Sequence, residues 1–514
     1  MPPSAEARSS SFKSNLGAAV GLFYGLLETF FGLGTLYITS VIVSHTVSVS
    51  DFGIWSTAIQ VVTLVNLLTS LRAEVTLAQV IGKARGANAA VPYRMMALAG
   101  FLLVSIFSGV VSLGLVAAGI IAGEGAVVLA LVGLTLTPVS LLLVIVGVQR
   151  GQERMRASTL ARVIPYLIWL IVAVVLALRH ARLETFAIAY AVTISGSVAV
   201  QMARYWRRAN REWNATRQIE TASSAPPETR WGPVLRVLLV TGLPLGLAIT
   251  LDQGQSQLSS YFVIVWLGTT KAGIYNAGYW MASILSKGLA AIIGIFVPLT
   301  ARLLAANDLD TARRIYQRAT RWVFLPTLIA AATAFVYAPA VLHIYGHEYA
   351  SGAAAFRILI VGFVINVLFG PNRAFLIASS RGNLILYSTL VAGGVTLVAS
   401  VVMVPAWGIE GAAVAAALNI LVGNLWASGW LWFKLHTQPF TRPYVYLIVF
   451  GTVSAAVLGV GMLALTGPTL GGAALFGVLY SLLLLGWAWK SGFADSEDRE
   501  LGRYLVQRIK PGRV

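Results

Sequence analysis

The sequence predicts an all-α polytopic membrane protein with fourteen transmembrane helices, arranged as two pseudo-symmetric six-helix halves plus two C-terminal helices. Three observations carry this prediction. The chain is 57% hydrophobic and 11% charged, with a mean hydropathy of +0.79, whereas a soluble domain carries roughly 25% charged residues. Its apolar residues gather into runs that meet the roughly 20 residues a membrane-crossing helix needs. A short pattern also recurs about 220 residues apart: Ser50-Asp51-Phe52-Gly53-Ile54-Trp55 reads against Thr270-Lys271-Ala272-Gly273-Ile274-Tyr275. Repeats at such a distance in a membrane chain indicate two homologous halves.

The runs, numbered as spans 1 to 14, fall at about 16–43, 53–80, 95–120, 126–148, 163–178, 185–203, 234–266, 274–301, 322–343, 354–372, 382–404, 410–433, 443–466 and 471–489. Span 1 follows a polar stretch and is too long for a signal-peptide core, so it reads as a retained helix. Span 2 follows the first copy of the repeated motif and span 8 the second. Span 8 is interrupted by Lys287, passes Pro298 and ends near Arg302. A weaker repeat links the ends of spans 4 and 10. Arg150-Gly151-Gln152 is followed by Ser158-Thr159-Leu160, and Arg381-Gly382-Asn383 by Ser388-Thr389-Leu390.

Charge distribution gives the orientation. With the N-terminus inside, 31 of the 37 Lys and Arg residues fall on the inner side and four on the outer, as the positive-inside rule requires. Both termini are therefore expected in the cytoplasm. The net charge of +18 reflects these loops and does not imply a nucleic-acid partner. The expected organisation is an N-terminal half at 1–203, a basic cytoplasmic linker at 204–233, a C-terminal half at 234–433, spans 13 and 14 at 434–489 and a basic tail at 490–514.

A charge at the bilayer centre costs roughly 2.5–3.5 kcal/mol, so an intramembrane charge is a functional candidate by default. Glu28 lies in span 1, Arg72 and Glu74 in span 2, Asp252 in span 7 and Lys287 in span 8. The repeat makes spans 1 and 7 equivalent, and likewise 2 and 8. Acids thus match acids and bases match bases. Two readings fit: the charges line a shared polar cavity, or they form ion pairs Glu28–Arg72 and Asp252–Lys287 within each half. Span 7 adds Gln253, Gln255, Gln257, Ser259 and Ser260, a run that cannot face lipid on every side. Asn366, Asn419 and Asn424 are single polar residues in spans 10 and 12, suited to the cavity or to interhelical hydrogen bonds.

Several chemistries are excluded. The chain has no cysteine, which removes thiol catalysis and cysteine-ligated metals. It has no GxxxxGK[ST] phosphate loop. His343 and His347 share a predicted outer loop without further obvious ligands, so no metal site is expected. No soluble segment is large enough for an enzyme, and no cofactor is expected.

The stretch Ser48–Trp55, then Leu71-Arg72-Ala73-Glu74, then Gly268–Tyr275 with Pro298 and Arg302, resembles bacterial polysaccharide flippases. So do Gly346–Leu359, Arg381-Gly382 and Val404-Pro405-Ala406-Trp407-Gly408-Ile409-Glu410-Gly411. That family belongs to the multidrug, oligosaccharidyl-lipid and polysaccharide exporter superfamily. The resemblance implies two lobes in a V, alternating access, and a lipid-linked oligosaccharide cargo, usually on undecaprenyl diphosphate. The cargo would be flipped across the inner (cytoplasmic) membrane for surface polysaccharide assembly. Membrane lipids and a glycan polymerase or export machinery would be partners. A coupling cation (Na+ or H+) or the membrane potential would drive transport. Many relatives carry an acid late in span 7, where this chain has Ser259-Ser260. Two alternatives stand beside this reading: a cation-coupled multidrug antiporter, and a lipid II-type flippase or non-transporting scaffold.

Overall fold

The computed structural model describes residues 24–493 except 25–26, 29–30, 33, 87–92, 123, 221–234, 237, 380 and 492. The polar N-terminal stretch, the Ser/Pro-rich part of the linker and the basic tail past Phe493 lie outside the described residues. Among the described residues all regular structure is helical, the solution for a chain whose backbone must satisfy its own hydrogen bonds in lipid. Among the described residues ten helices are long and apolar enough to cross a membrane. That count takes Asn383–Leu435 as one 53-residue helix, although it turns at Gly408 (φ 63°, ψ −137°). The chain divides into two compact units, Met1–Asn276 and Ala277–Val514.

In the first unit, α1 (described over 34–46, with Glu28 a helical residue upstream) leads to α2 (Val49–Thr69). Ser48 caps α2, accepting the amide of Asp51 at 3.1 Å. Then follow α3 (Ala73–Gly86), α4 (Tyr93–Ala122), α5 (Glu124–Gly133), α6 (Leu136–Gly151), α7 (Met155–Leu178) and α8 (Leu183–Glu220). The unit ends with a π-helical turn, Leu238–Gly242, and the greater part of α9 (Leu243–Ser283). Helix α8 continues past residue 203, so the basic residues Arg204 to Arg217 extend span 6 as helix. The core of α3, α4 and α6 is Leu77, Ile81, Ala97, Val104, Val144 and Val148. Val110, Leu113 and Ile120 of α4 and Ile171 of α7 are exposed, a surface suited to lipid and unsuited to water.

The repeated motif explains itself here. Helix α9 turns at Gly268 (φ 82°), and the segment beyond lies along α2. A Cβ on Gly53 would collide with the Thr269 carbonyl, and one on Gly273 with the Val49 carbonyl. Ser50 and Thr269 hydroxyls hydrogen-bond at 2.6 Å. Asn276 Nδ2 donates to Ser56 Oγ at 2.8 Å. Gly53 meets Gly273, and Ser56 meets its counterpart Asn276. Each copy is therefore the other's packing surface, and glycine is required because two backbones touch.

The second unit holds α10 (Lys287–Ala305), α11 (Leu309–Val336), the short α12 (Ala338–Leu342), α13 (Ala353–Leu368), α14 (Asn372–Ala378), α15 (Gly382–Leu435), α16 (Arg442–Thr466) and α17 (Leu470–Lys490). Spans 13 and 14 are α16 and α17. They pack on α11 through Phe324, Leu328, Tyr444, Phe476 and Tyr480. Span 10 is broken at Phe369–Pro371, where Gly370 has φ +64° and a Cβ would strike the Thr320 side chain. Two buried tyrosines satisfy the freed carbonyls: Tyr316 donates to Phe369 O at 2.7 Å and Tyr444 to Leu368 O at 2.9 Å. Tyr444→Phe leaves one carbonyl bare, a loss of about 1–3 kcal/mol. It should lower the thermal midpoint of the purified protein by a few degrees, while Tyr387→Phe, on a residue exposed by 53%, should leave it unchanged.

Candidate functional site

Glu28 is held by two arginines. Arg150 Nη2 donates to both of its carboxylate oxygens at 2.9 and 2.7 Å, and Arg162 Nη1 to one at 2.6 Å. Thr159 adds a hydrogen bond to the Tyr24 carbonyl at 3.3 Å. The Glu28 side chain is 13% exposed and the arginines 27% and 38%. The alternative pair Glu28–Arg72 is therefore not formed. The reason is geometric. Arg150 is the last residue but one of α6 and Arg162 lies at the start of the third turn of α7, and both long side chains reach Glu28. Sequence reasoning assigned these arginines to a loop and missed them. The recurrence of Arg150-Gly151 as Arg381-Gly382 was the available signal.

Arg72 pairs with Glu74 instead, at 2.9 Å. The pair sits where span 2 is broken, at Ser70–Arg72 between α2 and α3. Leu71 and Arg72 have φ +49° and +48°, a conformation that costs non-glycine residues on the order of 1–3 kcal/mol each and clusters at functional sites. Gly147 of α6 lies so close that a Cβ would collide with the Ala73 carbonyl, and one on Gly242 would stand 2.5 Å from the Leu71 carbonyl. The π-helical turn packs against this break, and π turns also favour functional sites. Glu74 Oε2, Arg72 Nε and Ser70 Oγ are buried and without a hydrogen-bond partner.

The polar run of span 7 lies in α9. Asp252 accepts from Gln255 at 3.4 Å. Gln253 is exposed and Gln257 half-buried, while Gln255, Ser259 and Ser260 are buried. Gln60 on α2 was missed by sequence reasoning. It is 4% exposed, and neither amide atom has a partner. Gly254 lies beside Leu64, one turn along α2 from Gln60. A lone glutamine in an apolar span was its signal.

In the second unit, Lys287 is half-buried and opens α10 immediately after a 3-10 turn, Ile284–Ser286. Arg72 likewise closes a break, so each of these bases flanks an irregularity of its span. Asp252 and Lys287 belong to different units. Asn366 accepts from Asn424 Nδ2 at 3.1 Å, and Asn424 Oδ1 accepts from Asn372 at 3.0 Å. Asn372 also donates to Ser428 at 2.8 Å. Asn366 thus belongs to an interhelical amide chain that ties the break in span 10 to α15. His343 and His347 stack with ring centroids 4.9 Å apart, and no group of three metal-ligating residues occurs among the described residues.

Residues 19–304 match the profile of a family described as polysaccharide biosynthesis protein, more than half of the chain. The protein belongs to this family. The matched region includes the motif seam, both arginine–glutamate clusters and Lys287. No curated protein matches the chain. Among solved structures it is similar to an inward-facing multidrug-resistance MATE family transporter of the MOP superfamily, with a TM-score of 0.61 and 13% identity over 80% of this chain and 94% of that one. A Vibrio cholerae MATE transporter gives 0.56 and 15% identity over 82% and 97%. A MOP superfamily transporter from Pyrococcus furiosus, noted for the reverse polarity of its binding pocket, gives 0.55 and 14% over 81% and 95%. The polysaccharide biosynthesis protein described here therefore has the MATE-like transporter fold.

Proposed function

We propose that this polysaccharide biosynthesis protein is a flippase that moves a lipid-linked oligosaccharide, carried on a polyprenyl diphosphate, across the inner membrane. The observation that carries this reading is the charge of the Glu28 cluster. Arg150 and Arg162 share its one carboxylate, which leaves one positive charge in excess, while Arg72 is balanced by Glu74. The two arginines are partly exposed, so the second guanidinium is open to an anionic ligand. A diphosphate head supplies that charge, and guanidinium groups bind phosphate oxygens in a bidentate geometry. Gln253, Gln257 and Ser256 of α9 suit the hydroxyls of a glycan, and the polyprenyl tail stays in the bilayer. The termini lie in the cytoplasm, and a proton, Na+ or the membrane potential drives the cycle by alternating access.

A cation-coupled multidrug antiporter is the second reading, favoured by the likeness to MATE transporters. It calls for a net-negative cavity, opposite to the charge of this site. The test is deletion of the gene in its host, with complementation by wild type, Arg72→Ala and Arg150→Ala, scoring surface polysaccharide and membrane protein level together. Loss of polymer on deletion, with both variants present in the membrane yet failing to restore it, is expected. An intact surface glycan with raised sensitivity to cationic drugs would replace the flippase by the antiporter.

A further inference from the structure

We propose that the C-terminal part of α8 is a docking surface for the headgroups of anionic phospholipids, which are held by Arg204, Arg207, Arg208 and Arg211. All four arginines are exposed. Their spacing, i, i+3, i+4 and i+7, sets them on one face of the helix. No acidic residue falls between Arg204 and Arg211, so this face carries four positive charges. The next acid, Glu212, is one residue on and about 100° round the helix from Arg211.

The surface that this stripe continues decides what it meets. Earlier in α8 the exposed positions Ile188, Val192, Gly196 and Val200 recur every four residues, and Arg204, Arg208 and Arg211 prolong the same row. Val192 is 67% and Val200 53% exposed, an apolar surface suited to acyl chains. The opposite face belongs to the protein. Phe186, Ile194 and Val198 are buried, and further along Met202, Tyr205 and Trp206 pack on the core of α3, α4 and α6. The Trp206 and Phe101 rings lie 5.7 Å apart. Packing therefore holds the helix in the same rotation past residue 203, and the arginines face the way the apolar row faces. Depth agrees with this. The helix rises about 32 Å from Leu183 to Arg204, close to the roughly 30 Å of a hydrocarbon core. Arg204 thus arrives where acyl chains give way to phosphates, and Arg211 lies about 10 Å further on. Guanidinium groups pair with phosphate oxygens in a bidentate geometry, and each basic side chain at an anionic surface adds about fivefold in binding.

The test is native mass spectrometry of the purified full-length protein in neutral detergent, titrated with phosphatidylglycerol or with zwitterionic phosphatidylcholine. Wild type should bind phosphatidylglycerol at least tenfold more tightly, a preference that shrinks as salt screens the charges. Arg204→Gln, Arg207→Gln, Arg208→Gln and Arg211→Gln combined should lower that preference about tenfold. The same four positions changed to lysine should keep most of it. Arg179→Gln with Arg182→Gln, exposed residues at the other end of the span, should leave it unchanged. The thermal midpoint without added lipid checks that each variant folds. Should the fourfold glutamine variant melt early, Arg207→Gln with Arg211→Gln reads the same loss at about fivefold or more. A wild-type preference in the folded glutamine variants would overturn the proposal. If those variants also fail to restore surface polysaccharide in the host, the stripe serves an acidic protein partner instead.

Discussion

Oxidation of a protein carrying Ser50→Cys and Thr269→Cys should join α2 to the segment beyond Gly268 and stop transport, with dithiothreitol restoring it. The native hydroxyls stand 2.6 Å apart, within easy reach of a sulfur–sulfur bond of roughly 2.05 Å. The chain has no cysteine of its own, so any cross-link is unambiguous. The seam is the contact between the two copies of the repeated motif, glycine on glycine, with Ser56 bonded to Asn276. In the alternating-access cycle proposed above, the two copies of the motif part and rejoin, and the disulfide holds them together. Gly53→Leu tests the same seam from the other side. The added side chain meets the Thr269 carbonyl, which is backbone and cannot turn away, so the seam should fail to close and transport should again be lost. A cross-linked protein that transports at the wild-type rate would make the seam a static packing contact.

Glu28→Ala should be the most destabilising single change in the charged cluster. It leaves Arg150 and Arg162 facing each other without a counter-ion. Breaking a fully buried pair costs roughly 3–5 kcal/mol. Arg162 remains 38% exposed and can turn to water, so a loss of about 2–3 kcal/mol is the better expectation. It should appear as a lower melting temperature and reduced membrane level. Adding Arg162→Ala should recover part of the loss, because the two effects are coupled through one carboxylate. Equal stability of wild type and Glu28→Ala would show that the arginines are satisfied elsewhere.

The helical membrane fold was legible because membrane physics writes plainly in sequence. Apolar runs mark helices, and a motif at which backbones touch must keep its glycines, as Gly53 and Gly273 do. Arg72 and Lys287 stood out as charges in apolar runs, and each lies beside an irregularity of its helix. Those irregularities were not legible. The break at Ser70–Arg72 uses Leu71 and Arg72 at positive φ, with no glycine or proline to announce it. The 3-10 turn at Ile284–Ser286 is equally unmarked. Arg150 and Arg162 were hidden for another reason. Positive charges near a helix end count as loop residues in any topology rule, and only the fold shows that two of them turn inward to Glu28. Asn366 and Asn424 stood out as polar residues with two open roles, but their link through Asn372, which braces the break at Gly370, needed the backbone.

The most direct test of the central claim is transbilayer movement of a lipid-linked oligosaccharide in proteoliposomes. The purified protein is reconstituted with a fluorescent polyprenyl-diphosphate oligosaccharide, and the fraction accessible from outside is followed with time. Wild type should render essentially the whole pool accessible, while Arg72→Ala and Arg150→Ala, reconstituted at equal density, should slow the movement at least tenfold. Movement no faster than in protein-free liposomes, under the same gradients of proton, Na+ and potential, would contradict the account.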